Sequence, residues 1–332
     1  MAGEDAGDLQ RPLSPCPPRV GHDRTSQNDV RRRAPRHRAA TAVNGERLGA
    51  VVDLTTLAPA LTKEVHRIFD DLADPATPRL TLRSSVFTAI VGIDCATDPR
   101  KVGMARARRE FGRWRLVDIA RGTTQDTPAA RIARWAGEDS STLLALDAPL
   151  GWPARLSQDL TRHEAGAFID TPANDLFRRA TDRHVQDTYG KRPLDVGADR
   201  IARTAHAALL LLHQLRRATG KDIPVAWEPH APARIAAIEV YPAVTAKVHI
   251  DRSGETPTSD RRVDAMTVIQ RTLRGVTAHD LAAASQDELD AALCIVAGID
   301  FLSGRASPPV DPELARQEGW IWARGVDGGD PE

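Results

Sequence analysis

The chain has 332 residues, with 45 Lys plus Arg against 45 Asp plus Glu. That length suits one large or two modest domains, and the zero balance excludes a global field drawing the protein onto nucleic acid or an anionic membrane, so any basic surface must be local. The three cysteines, Cys16, Cys95 and Cys294, lie far apart, which excludes a disulfide framework or a cysteine zinc site and suits a reducing cytoplasm.

Residues 1–43 are rich in Pro, Arg, Asp and Ser and lack apolar periodicity. Such a stretch buries too little surface to offset its ordering entropy, so it is predicted to be disordered, its Arg31–Arg33 run a solvated tail. A possible amphipathic helix at 61–72 precedes a Pro-broken linker at 74–78. The N-terminus lacks the apolar core of a signal peptide, and the most hydrophobic run, at 207–212, is too short for a bilayer, which needs about 20 apolar residues. The expected location is cytoplasmic, without membrane attachment.

Regular structure is predicted from Phe87. Phe87-Thr88-Ala89-Ile90-Val91-Gly92-Ile93-Asp94 reads as a strand buried on both faces that stops on a carboxylate. Residues 101–108 and 113–120 read as two further strands joined by a hairpin turn at 109–112, alternating apolar and basic as half-solvated antiparallel strands do. A helix follows at 127–137, with Thr127 as N-cap and Pro128 in its first turn. Ser141 to Pro149 holds a second apolar strand that again ends on an acid, Asp147. A right-handed crossover would set this strand beside the first, with Asp94 and Asp147 at one sheet edge.

Residues 151–233 read as a helical insertion, with one long helix at 199–217 stopped by Gly220. The strand 236–241 carries Glu239 where a core strand should be apolar. Helices at 243–250, 260–273 and 286–302 complete the pattern, and Ser285-Gln286-Asp287-Glu288 forms a capping box opening the last of them. Asp287 suits a helix dipole, whereas Asp290 lies on the stripe of Cys294, Ala297 and Phe301 that faces the sheet.

Asp94 taken alone reads first as a turn residue, with a ligand at the rim of an open sheet as the alternative. Four apolar-flanked carboxylates, Asp94, Asp147, Glu239 and Asp290, weigh toward the second reading if they converge. Two unit charges about 4 Å apart repel by roughly 4 kcal/mol at an effective dielectric near 20. A hard divalent cation, Mg or Mn, removes that repulsion with oxygen ligands alone. Two such ions suit phosphoryl displacement.

The chain resembles the domain-of-unknown-function family 429, regarded as predicted nucleases of the ribonuclease H-like superfamily. The resemblance rests on Val91-Gly92-Ile93-Asp94, Leu146-Asp147-Ala148-Pro149-Leu150-Gly151-Trp152-Pro153, Arg179-Ala180-Thr181-Asp182, Glu239-Val240-Tyr241-Pro242-Ala243, Asp287-Glu288-Leu289-Asp290 and Glu318-Gly319-Trp320-Ile321-Trp322. It implies a ribonuclease H-like α/β domain at about 85–325: an antiparallel meander, then parallel strands, flanked by helices, beyond an N-terminal extension at 1–84. It implies a nuclease acting on nucleic acid with Mg or Mn held by Asp94, Asp147, Glu239 and Asp290, Asp287 assisting. The helix at 127–137 has no acid where ribonuclease H places a Glu, so Glu239 would take that part. Arg178, Arg179 and Arg183 are expected to contact phosphates, with Asp182 either assisting there or orienting an arginine. Trp152, Trp227, Trp320 and Trp322 read as base-stacking platforms or as core. Two alternatives stand beside this: a catalytically silent binding or regulatory protein on the same fold, and an actin-like ATPase or sugar kinase. Against the kinase, Asp94-Cys95-Ala96-Thr97-Asp98 lacks the glycine of a phosphate-binding turn.

Overall fold

The computed structural model describes residues 87–230 and 233–326. The tail predicted at 1–43, the helix at 61–72 and the linker at 74–78 lie outside them. The charge-free run forms β1 (Ala89–Asp94), buried except at its last residue. Asp98 then closes a short 3-10 turn, Pro99–Lys101, by accepting from the Arg100 amide. The next strand, β2 (Gly103–Glu110), therefore starts two residues later than expected. Phe111 and Gly112 take φ of 50° and 76°, making the tight two-residue turn that matches the twist of a hairpin, and β3 is Arg113–Arg121. Thr127 caps α1 (Pro128–Glu138) by accepting from the Ala130 amide, and β4 is Thr142–Asp147.

Between β4 and the next strand lie α2 (Ala154–Leu160), α3 (Ala173–Phe177), α4 (Ala180–Tyr189) and α5 (Ile201–Thr219). Then come β5 (Ile235–Glu239), α6 (Pro242–Arg252), α7 (Arg261–Thr272), α8 (Ala278–Ala283), α9 (Gln286–Leu302) and α10 (Pro312–Glu318).

The sheet order is β3-β2-β1-β4-β5. The first three strands pair antiparallel, and β1, β4 and β5 pair parallel. This is the expected mixed α/β sheet, with the strand order and senses of a ribonuclease H-like fold.

Two glycines set the position of α9. A Cβ on Gly92 would come within 1.9 Å of the Ala291 carbonyl oxygen, and one on Gly103 within 2.0 Å of the Asp287 carbonyl oxygen. With hydrogen there instead, the helix backbone lies directly on β1 and β2, and every residue from Leu289 to Leu302 is buried. That layer packs on Ile90, Leu143, Ala145 and Ile238. The opposite face, with Val91, Ile93, Leu144 and Leu146, is covered by Ile132 and Trp135 of α1 and Leu211, Leu212 and Leu215 of α5. The end of the expected insertion thus builds a layer of the core.

The free edge of β5 is covered by backbone hydrogen bonds from Ala226 to Ala237 and from Trp322 to Glu239, at 2.8 and 2.9 Å, which removes an exposed strand edge. Among the described residues no helix is long and apolar enough to cross a membrane.

Candidate active site

Side chains alternate along a strand, so residue parity decides which layer each acid meets. Asp94 stands in step with Ile90 and Gly92, and Asp147 with Leu143 and Ala145, on the face covered by α9. The register pairs Asp94 directly with Asp147 at the C-terminal ends of two parallel strands. Both open into a cleft of about 280 Å³ lined by Asp94, Asp147, Glu239, Tyr241, Arg261 and Ile321. Among the described residues neither carboxyl has a hydrogen-bond or ion-pair partner.

Burial, then the charges of Asp147, Asp290 and Asp287, push the Asp94 carboxyl up to about 9, with Arg261 opposing. Burial and Asp290 push Asp147 up to about 8, again against Arg261. Both carboxyls therefore keep their protons at neutral pH unless a cation arrives to ionise them.

The two acids of α9 reach the same sheet edge because the helix begins there. Ser285 accepts from the Glu288 amide, and the Glu288 carboxylate accepts from the Ser285 amide, closing the capping box. Asp290 is buried, which raises its pKa, while Arg261 and Gln286 hold it back. One of its oxygens accepts from Arg261 at 2.5 Å and the other from Gln286 at 3.0 Å. Asp287, half-exposed, pairs with Arg121 of β3 at 2.8 Å.

A family model described as "Protein of unknown function (DUF429)" matches residues 92–314. The chain belongs to this family. No curated protein matches it. Among solved structures it is similar to T. thermophilus RuvC in complex with Holliday junction substrate, at 10% identity and a TM-score of 0.25, over 63% of this chain and 92% of that one.

In this member of the DUF429 family, four of the quoted motifs meet in one buried knot beside the cleft. Glu239 has the parity of Ile235 and Ala237, on the face away from α9. Its carboxylate accepts from both terminal nitrogens of Arg179, at 2.8 and 2.9 Å, and from the Leu150 amide at 2.9 Å. Arg179 also donates to both oxygens of Asp182, from Nε at 3.1 Å and from Nη2 at 2.8 Å. Burial works to lower the Arg179 pKa, yet Glu239 and Asp182 together hold it above the ordinary guanidinium value. Glu318 joins them: its two oxygens accept from the amides of Ala154 and Ala180, the first residues of α2 and α4, at 2.8 and 2.6 Å.

These contacts bear on two expectations. The cage of four acids is not assembled: among the described residues no group of three or more His, Cys, Asp or Glu is gathered to hold a metal ion. The physical reason is that Glu239 is neutralised by Arg179 on the other face, and Asp290 is turned into Arg261. Arg178 and Arg179, expected to contact phosphates, are nearly inaccessible, as is Asp182. Arg179 is oriented by Asp182, and Arg178 pairs with Asp195 at 3.4 Å. Arg183 is half-buried, pairs with Asp175 and faces a separate cavity of about 870 Å³, lined also by Arg155, Asp159, Arg162 and Phe168.

Trp320 and Trp322 are core residues, Trp322 standing edge-on to Phe301 at 4.7 Å. Sequence reasoning missed Arg261. A signal was present, since a cation at the first position of a helix capped by Asp260 opposes the helix dipole and asks for another reason to be there.

Proposed function

We propose that the chain is a metal-dependent phosphodiesterase acting on nucleic acid. The observation that carries this reading is the pair Asp94 and Asp147: adjacent in register, without partners among the described residues, raised in pKa and open to a cleft. Unpartnered acids held together at a strand-end cleft are costly, and a functional site is the usual reason for such a cost. Hard oxygen donors without His or Cys fit Mg or Mn. Asp94 and Asp147 would hold the ion, with Asp290 joining them. Asp287 stands at the rim, and Glu239 contributes through the wall of the cleft, its charge already met by Arg179. Such an ion supplies Lewis-acid stabilisation and an activated water.

Among the described residues no group of three or more metal-ligating side chains is gathered, which favours a second reading, a catalytically silent binding or regulatory protein. The kinase reading loses support: the segment after Asp94 closes on itself through Asp98, Arg100 and Pro99 and offers no glycine turn.

Labelled single-stranded, duplex, hybrid and branched substrates with Mn distinguish these readings. Cleavage is expected with Mn, abolished by EDTA, and reduced by more than roughly a hundredfold in Asp94→Asn and Asp147→Asn. Cleavage that persists unchanged in both variants rejects the assigned site. Binding without cleavage of any substrate supports the silent protein.

A further inference from the structure

Arg261 and Arg262 are neighbours with different fates. Arg262 donates to the carbonyl oxygens of Leu281, Ala282 and Ala284, at 3.0, 2.9 and 2.5 Å, and so closes the C-terminal end of α8. Arg261 turns into the acid cleft and donates to Asp290. The pair is asymmetric: the Arg261 side chain is 56% exposed and that of Asp290 only 7%. A guanidinium with half its surface in water can leave such a contact at little cost. A buried carboxylate left without a partner cannot stay charged cheaply. Arg261 also lines the cleft into which Asp94 and Asp147 open, and of the arginines expected at the substrate, Arg178 and Arg179 are buried and Arg183 faces elsewhere.

We propose that Arg261 is a built-in counter-ion for this cleft. It holds Asp290 in the cation-free protein, releases it when a divalent cation is bound by Asp94 and Asp147, and then presents its guanidinium to a phosphate of the substrate. The release makes Asp290 available as a third oxygen ligand beside Asp94 and Asp147. The phosphate contact follows from the planar fork of donors that arginine offers to such oxygens. Arg261 is thus a positioning residue toward the cation and a binding residue toward the substrate. This inference rests on the metal-dependent reading above.

The test is calorimetric titration of the metal-stripped full-length protein with MnCl2 alone, followed by titration of the Mn-loaded protein with a short single-stranded oligonucleotide. Arg261→Gln is expected to bind Mn roughly two- to fivefold more tightly than wild type, the scale of a half-exposed charge pair. Arg261→Lys should fall between the two. A merely structural lesion lowers metal affinity, so a gain is diagnostic. The same Arg261→Gln protein should bind the oligonucleotide roughly tenfold more weakly. Equal or weaker Mn binding in Arg261→Gln, while wild type binds Mn, overturns the counter-ion role and leaves the metal-dependent reading standing. If Arg261→Gln does not fold, Mn affinity of Arg261→Lys equal to wild type overturns it instead. Unchanged oligonucleotide affinity overturns the phosphate contact. Failure of wild type to bind Mn at all overturns both readings together.

Discussion

Two clusters built from the same side chains lie within one sheet width of each other and behave in opposite ways. In the first, Arg179, Asp182, Glu239 and Glu318 are fully buried, and each carboxylate accepts two or more hydrogen bonds from guanidinium or backbone N–H groups. In the second, Asp94 and Asp147 stand without partners among the described residues, and Asp290 is paired with one half-exposed arginine. The buried knot joins the start of α4, the end of β5 and the end of α10 to one another. Charge that is completely matched is structural cement, although a buried pair is expensive to break and modest in net gain. Carboxyls left unpartnered at the edge of a sheet are poised for a ligand.

Breaking the matched cluster should have the largest effect. Arg179→Ala strands Glu239 and Asp182 without their cation, and a loss of about 3–5 kcal/mol in urea denaturation is expected. A change below about 1 kcal/mol would show that the knot is not what joins these segments.

Asp94→Asn should do the reverse. It removes an acid that has no partner, so the cation-free melting temperature should stay within a few degrees of wild type or rise. Stabilisation by Mn should disappear with it. A large drop in melting temperature without metal would move Asp94 into the structural class.

The pH dependence sharpens the contrast. The Asp94 and Asp147 carboxyls titrate near 9 and 8 in the folded protein against an ordinary value of 3.8. Between those limits the folded state holds protons that the unfolded chain has released. Their contribution to stability is complete below about pH 4 and is lost as pH rises through about 8 to 9. In EDTA, wild type should lose several degrees more than the Asp94→Asn, Asp147→Asn double variant between about pH 5 and about pH 9. Parallel melting profiles would refute the raised pKa values.

The smallest effect should come from Arg121→Ala. Arg121 and Asp287 form an ion pair with both partners substantially exposed. Such pairs contribute about 0–1 kcal/mol, readable as a small shift in urea midpoint.

Much of this architecture was legible in local pattern. The two apolar strands ending on Asp94 and Asp147, their parallel pairing, the helix 286–302 and its capping box all follow from periodicity, turn residues and the rules of crossover, because those signals act over a few residues. So does the meeting of the two strand acids, since parallel strands of equal length end at one edge. The sequence by itself thus determined that the two apolar strands lie side by side and that Asp94 and Asp147 end at one edge. What only the tertiary structure decided is how each charge is met. One position of parity turns Glu239 away from α9 and into Arg179, contributed by a helix 60 residues distant in the chain. Arg261 reaches Asp290 across a separation of 29 residues, while Arg262 beside it is spent on a helix end. Long flexible side chains choose their partners by what packing brings within a few ångströms. For that reason the functional arginine is the last feature to be read, and the one the fold had to supply.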